Sequence, residues 1–229
     1  MKFRFIIIAV FLCAIVLIIT ATLFFKSRLF CDDKYQRKFV IDSGFLSYPD
    51  NTTRAINNYI KALQILQSQG IDRKYLDGKS ENDRMEEHLV IDFNEIAALV
   101  VEGAKSEELG ITSSESNSGR ISLPNYREVK FADFIALPIV ISQVVIADLG
   151  QKKNLDRALL LGKANIAMGV QFSAYNSRLI HAVGLLCKRE GLKILEAYVK
   201  ASGDENLLKS IDDMRREFEK ECENIKEER

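Results

Sequence analysis

The sequence predicts an all-α protein, with an N-terminal transmembrane helix followed by a soluble domain of antiparallel helical hairpins. Three observations predict it. Phe5 to Phe25 is a run of 21 residues with no charge, proline or glycine, and only Thr20 and Thr22 are polar. Beyond it, apolar residues recur at intervals of three and four in one segment after another. Between those segments lie Gly70, Asn154, Asn176, Ser177 and Gly203, residue types that stop or cap helices.

The anchor comes first, over residues 1–28. As a helix rising about 1.5 Å per residue, Phe5–Phe25 reaches roughly 31 Å, the thickness of a bilayer's hydrocarbon core. Fifteen of its residues are Ile, Leu, Val or Phe. At about −0.3 to −0.6 kcal/mol each, insertion gains at most on the order of 5–9 kcal/mol, with no charge to offset it. The rival is a cleavable signal peptide, with Ile19-Thr20-Ala21 as its cleavage site. Its apolar region would span only about 7–15 residues, and this run is longer. A lipoprotein site is disfavoured by Phe30 before Cys31 and by Phe11-Leu12 before Cys13, bulky where small residues are needed. Lys2 and Arg4 precede the span; Lys26, Arg28, Lys34, Arg37 and Lys38 follow it. Counted literally, those charges keep the C-terminal side in the cytoplasm, but long domains translocate largely regardless of charge. A short charged head on a long apolar run reads as a signal anchor of the inner (cell) membrane, with the C-terminal domain outside the cytoplasm.

Residues 29–50 read as a stalk leading into the domain, stopped by Pro49 and Asp50. The domain proper is 51–203. Asn51 to Ser68 is its first helix, capped by Asn51, Thr52 or Thr53, with Ala55, Ile56, Tyr59, Ile60, Leu63 and Leu66 as one stripe and Gly70 as its stop. The sequon Asn51-Thr52-Thr53 is read as a cap rather than a glycosylation acceptor. A second helix lies within Asp83–Lys105, with Met85, Leu89, Phe93, Ile96, Ala97, Val100 and Ala104 buried; a capping box of Asp92 and Glu95 could split it near Ile91. Residues 106–124, rich in Ser, Gly and Glu, read as a long mobile surface loop. Tyr126 to Leu149 is apolar almost all round, as a buried helix is, and Pro138 should kink or split it. Lys130, Asp133, Gln143 and Asp148 leave too short a clean run for a second membrane span.

Asn154–Tyr175 and Asn176–Lys200 form the centre of the domain. Asn154 should cap the first of them, with Asp156 favourably placed in its first turn. Gly162 and Gly169 lie seven apart, on one face; each costs about 1 kcal/mol against alanine inside a helix, so close approach of a neighbouring helix is expected there. Leu179, Ile180, Val183, Leu186, Leu192, Ile194, Leu195 and Val199 follow at helical intervals, and Gly203 ends the segment. Residues 204–229, with ten acids and six bases, read as a charged C-terminal helix. Leu207, Leu208, Ile211, Met214, Phe218 and Cys222 offer a narrow stripe that docks at its start, and its end should fray.

Asn57-Asn58-Tyr59 followed by Ala62-Leu63 resembles the helix opening of tetratricopeptide-like hairpins. Ala147-Asp148-Leu149-Gly150, then Leu155-Asp156-Arg157-Ala158-Leu159, is similar to their helix–turn–helix join. Ser177-Arg178-Leu179-Ile180 through Gly184, with Leu192 to Leu195, resembles the closing helix of a group of uncharacterised membrane-anchored bacterial helical proteins. The likeness covers roughly 51–199 and implies helical hairpins. A 34-residue repeat and its usual tryptophan are absent. The group carries no activity and no site residue to transfer.

The chemistry-bearing residues are few. His88, with Glu87, Asp92 and Glu95, could present a metal-binding face, but no second histidine is near. His181 precedes Cys187 by six, with Asn176 before both; that spacing turns the two side chains apart, so a core histidine and a buried thiol are expected rather than a nucleophilic pair. Cys31, Cys187 and Cys222 are widely spaced, with a Cys31–Cys222 bridge as the one minor alternative to free thiols. Setting aside Lys2 and Arg4, 30 basic residues face 32 acidic ones, which argues against nucleic-acid binding. The expectation is therefore no catalytic, cofactor-binding or metal residue and no cofactor. The partners expected are the bilayer at residues 5–25 and a protein or peptide. The function expected is that of a membrane-tethered interaction module. The alternative is an enzyme or small-ligand binder whose site lies between helices, under the 106–124 loop.

Overall fold

The computed structural model describes residues 54–71, 93–106, 108–121, 128–151 and 154–227. The Phe5–Phe25 span, the stalk, the sequon and His88 with Glu87 and Asp92 lie outside them. Within them the chain is mostly helical, as the all-α reading requires. The elements are α1 (Ala55–Ser68), α2 (Phe93–Ala104), α3 (Ser113–Ser118), strands β1 (Arg120–Ile121) and β2 (Val129–Lys130), a 3₁₀ turn (Phe131–Ile135), α4 (Ala136–Gly150), α5 (Leu155–Ser173), α6 (Arg178–Ser202) and α7 (Glu205–Glu227).

The stripe expected of α1 is buried in full, from Ala55 to Leu66, and Gly70 closes the helix at φ 82°. Its start differs. Arg54 stands at the N-cap without a side-chain bond to the helix, and Ile56 N–H donates to the Leu109 carbonyl at 3.0 Å. An orphan donor at a helix start needs some acceptor, and here a distant backbone oxygen supplies it; the expected caps Asn51, Thr52 and Thr53 lie outside the described residues.

That acceptor lies in the segment expected to be an irregular loop, which requires a correction. Thr112 and Glu115 form a reciprocal capping box on α3, and Gly119 ends it at φ 69°. β1 then pairs antiparallel with β2, Ile121 opposite Val129. Leu109 and Ile121 are buried in the core. Arg54 ties the segment down from outside: Nε donates to the Gly110 carbonyl, and the guanidinium meets Glu115 at 3.0 Å. Two apolar anchors among serines leave no period, so the order was invisible to periodicity.

Phe131–Gly150 is the one stretch among the described residues long and apolar enough to cross a membrane. Most of it is buried inside the domain, which accounts for its composition without a bilayer. Pro138 does not split α4, which runs unbroken from Ala136 to Gly150. It sits in the first α-helical turn, just after the 3₁₀ turn, where a missing N–H costs least.

The α5–α6 pair is the spine. Residues 161 to 172 of α5 are buried without a break. A Cβ added at Gly162 would meet Leu195 and Ile194 of α6; one at Gly169 would meet Gly184 O at 2.7 Å. From α6, a Cβ at Gly191 would meet Gly162 O at 2.8 Å. The two helices therefore run antiparallel with two glycines on each side of the contact, as close approach requires. Asn154 departs from expectation. At φ 55° it takes the left-handed conformation that Asn tolerates, and its amide turns back to Asp148 instead of capping α5.

The core centres on Tyr59, Phe131, Phe134 and Phe172, with ring centroids 5.5–6.4 Å apart for the closest pairs. Gln171 ties this centre together. It accepts from Tyr59 Oη at 2.6 Å and donates to the carbonyls of Gly103 and Ser106. Burial pushes the Tyr59 phenol well above its ordinary value, helped by the nearby Cys187 and opposed by the Gln171 bond.

Candidate functional site

Three ionisable side chains meet where α7 lies along α6. Lys188, only 1% exposed, donates from Nζ to both carboxylate oxygens of Glu221, at 3.0 and 2.9 Å. His181 Nε2 lies 3.3 Å from Glu221 Oε1, within charge range but off the line of a hydrogen bond. Its other nitrogen, Nδ1, faces the Ser173 carbonyl at 3.3 Å, near the end of α5. Ser173 Oγ is buried with no partner.

The backbone explains how a lysine comes to be buried here. A Cβ at Gly169 would fall 2.6 Å from Lys188 Cγ. The missing side chain on α5 is the space in which the lysine stem lies, carrying its ammonium through to Glu221. Burial raises the Glu221 carboxyl, but His181 and Lys188 together outweigh it and hold the group below its ordinary value.

Chemically the cluster is an ion pair with a histidine at its edge. Ser173 Oγ makes no bond to the imidazole, so no serine–histidine relay is assembled. Cys187 lies apart from His181, fully buried and facing the aromatic core; burial first, then Glu190, pushes its thiol far above the usual range, away from the nucleophilic thiolate. The expected buried thiol is thus found. His181 is corrected: it is partly exposed and joins the ion pair rather than the core. The end of α7 is corrected too, because the helix runs to Glu227 and Glu221 is buried.

A second buried acid, Glu190, accepts from Ser142 Oγ of α4 at 2.7 Å and from Lys193 and Arg189 at 3.0 and 3.1 Å. No three His, Cys, Asp or Glu side chains are placed to hold a metal among the described residues. Lys188, Glu190, Gln171 and Glu221 carried no sequence motif. Glu221 had a signal: Leu207, Ile211, Met214 and Phe218 step by four, three and four, and the next step of three lands on Glu221. Gly184 and Gly191 had one too, seven apart like their partners.

No protein-family model, curated protein or solved structure matches this chain.

Proposed function

We propose that the protein is a membrane-tethered helical interaction module: Phe5–Phe25 anchors it in the inner (cell) membrane, and a domain of antiparallel helical hairpins, akin to those of tetratricopeptide-like proteins, stands outside the cytoplasm to engage a protein or peptide. The observation that carries this reading is the uncharged run of 21 residues at Phe5–Phe25, joined to a helical domain in which, among the described residues, the buried acids Glu221 and Glu190 are paired with Lys188 and Lys193. Lys188 is paired with Glu221 and Cys187 is held as a thiol, so the groups that could do acid–base or nucleophilic work serve the fold. The alternative, a site covered by the 106–124 segment, gains no support, since Leu109 and Ile121 of that segment belong to the core.

The test has two stages. After alkaline carbonate washing the chain should remain in the membrane fraction, and protease added outside intact cells should digest the domain. A photoreactive residue at Leu208 or Leu179, the large apolar side chains left exposed among the described residues, should then give a discrete crosslinked adduct in membranes. Recovery of a shortened, soluble form, or absence of an adduct from both positions, refutes the reading.

A further inference from the structure

Both ring nitrogens of His181 face oxygens that can only accept. Nδ1 lies 3.3 Å from the carbonyl of Ser173, the last residue of α5, where the negative end of that helix's dipole favours a cation. Nε2 is buried without a hydrogen-bond partner, 3.3 Å from Glu221 Oε1. A neutral imidazole carries one N–H. With its proton on Nδ1 it turns a bare nitrogen toward a carboxylate; with its proton on Nε2 it leaves the Ser173 carbonyl unserved. Only the imidazolium carries a proton on both nitrogens, and Glu221 attracts its charge even off the line of a hydrogen bond. The attraction is mutual, and it shows on the acid: His181 is among the groups that hold the Glu221 carboxyl below its ordinary value.

The charges around the ring come from three helices. Lys188 and the exposed Arg178, one turn before the histidine, belong to α6 and are present whether or not α7 is docked. From α5 the ring meets Ser173, which carries no charge. α7 brings Glu221, with Cys222 beside it and the Glu217–Lys220 pair one turn before. That helix packs chiefly on α6, and terminal helices open locally more readily than a core does. Docking of α7 therefore replaces water at Nε2 with a carboxylate. Burial opposes a charge there, but the His181 side chain remains 24% exposed, so the opposition is partial.

We infer that His181 and Glu221 form a pH-sensitive clasp: as the surroundings pass from neutral to mildly acid, a proton taken up by His181 fastens the half of α7 beyond Met214 more firmly to α6. Linkage fixes the sign. The docked state holds the proton more tightly than the undocked one, so the added hold is fully present in acid and is lost as pH rises through the histidine range, about 6.5. Glu221, held below its ordinary 4.5, stays ionised through that window. The clasp needs neither the membrane tether nor a partner.

Amide hydrogen exchange over residues 215–227 tests the clasp in the full-length chain in detergent. Measurements at about pH 5.5 and about pH 7.5 lie either side of the histidine range and below the ordinary thiol value of about 8.5, which keeps Cys222 out of the comparison. Parent and His181→Gln are compared at each pH, so the intrinsic pH dependence of exchange cancels. The protection of the parent relative to the variant should be at least about threefold greater at the lower pH than at the higher. In a Glu221→Gln background the same comparison should not change with pH. Should His181→Gln not fold, parent against Glu221→Gln carries the test and should show the same rise. His88→Gln, which removes the chain's other histidine, should leave the rise intact. A ratio equal at both pH values, a rise that persists without Glu221, or a rise lost with His88 overturns the inference.

Discussion

Gly169→Ala isolates what the closeness of the α5–α6 contact contributes. Helix propensity alone favours the change by up to about 1 kcal/mol. Packing opposes it. The new methyl would lie 2.7 Å from Gly184 O and 2.9 Å from Lys188 N, both backbone atoms of α6. Ordinary carbon contacts lie near 3.5–4.0 Å, so the helices must part by about half an ångström or more. Overpacking of this kind costs about 1–3 kcal/mol, and here it also displaces the Lys188 stem, so a net loss of about 1–2 kcal/mol is expected. For a chain of this size that lowers the melting temperature by about 2–8 °C. Gly162→Ala is the control. Its methyl's nearest neighbours would be side-chain atoms, Leu195 Cδ2 at 2.7 Å and Cγ at 2.9 Å and Ile194 Cγ2 at 3.2 Å, rather than the backbone of α6. It should fall within about 1 kcal/mol of the parent. Thermal melts followed by circular dichroism of the full chain in detergent decide the matter. If Gly169→Ala melts at or above the parent, or below it by less than Gly162→Ala does, the backbone contact is not limiting.

Other expectations follow from the same geometry. Glu221 is held below its ordinary 4.5, so its stabilisation is fully present above that value and fades as pH falls through the lower, folded one; the gap in melting temperature between parent and Glu221→Gln should close as the pH is taken below that range into acid. Tyr59→Phe leaves Gln171 Oε1 without its donor and should cost about 1–3 kcal/mol in urea unfolding. In an alkaline titration, phenolate absorbance should fall short of seven tyrosines until the protein unfolds. A thiol reagent should leave Cys187 unmodified in the native chain and label it on denaturation, with the half-exposed Cys222 reacting first.

What the sequence disclosed was whatever repeats at short range. The α1 stripe, the apolar character of α4, the glycine stops at 70 and 203 and the close face at Gly162 and Gly169 all follow from local spacing, and the structure bears them out. What it concealed depends on partners distant in the chain. Nothing near Arg54 announces that Leu109 supplies the acceptor for α1. Two anchors, Leu109 and Ile121, spaced twelve apart among serines, read as disorder because a pattern needs more than two points. Lys188 looks like any surface lysine until Gly169 is set opposite it. Glu221 was legible in the spacing of α7 yet easily passed over, because its charge argued for solvent and its position in the stripe argued for burial.

The Tyr59–Gln171 bond also sets an order of events during synthesis. Its partners lie 112 residues apart. At about 5–20 residues per second, Tyr59 is made roughly 6–22 s before the residue that secures it. Throughout that interval the apolar face of α1 has no native partner from α5, which holds the phenylalanine stacked on Tyr59. A nascent chain in this position is a client for chaperones, and a ribosome stalled between α1 and α5 would release a fragment with every reason to aggregate.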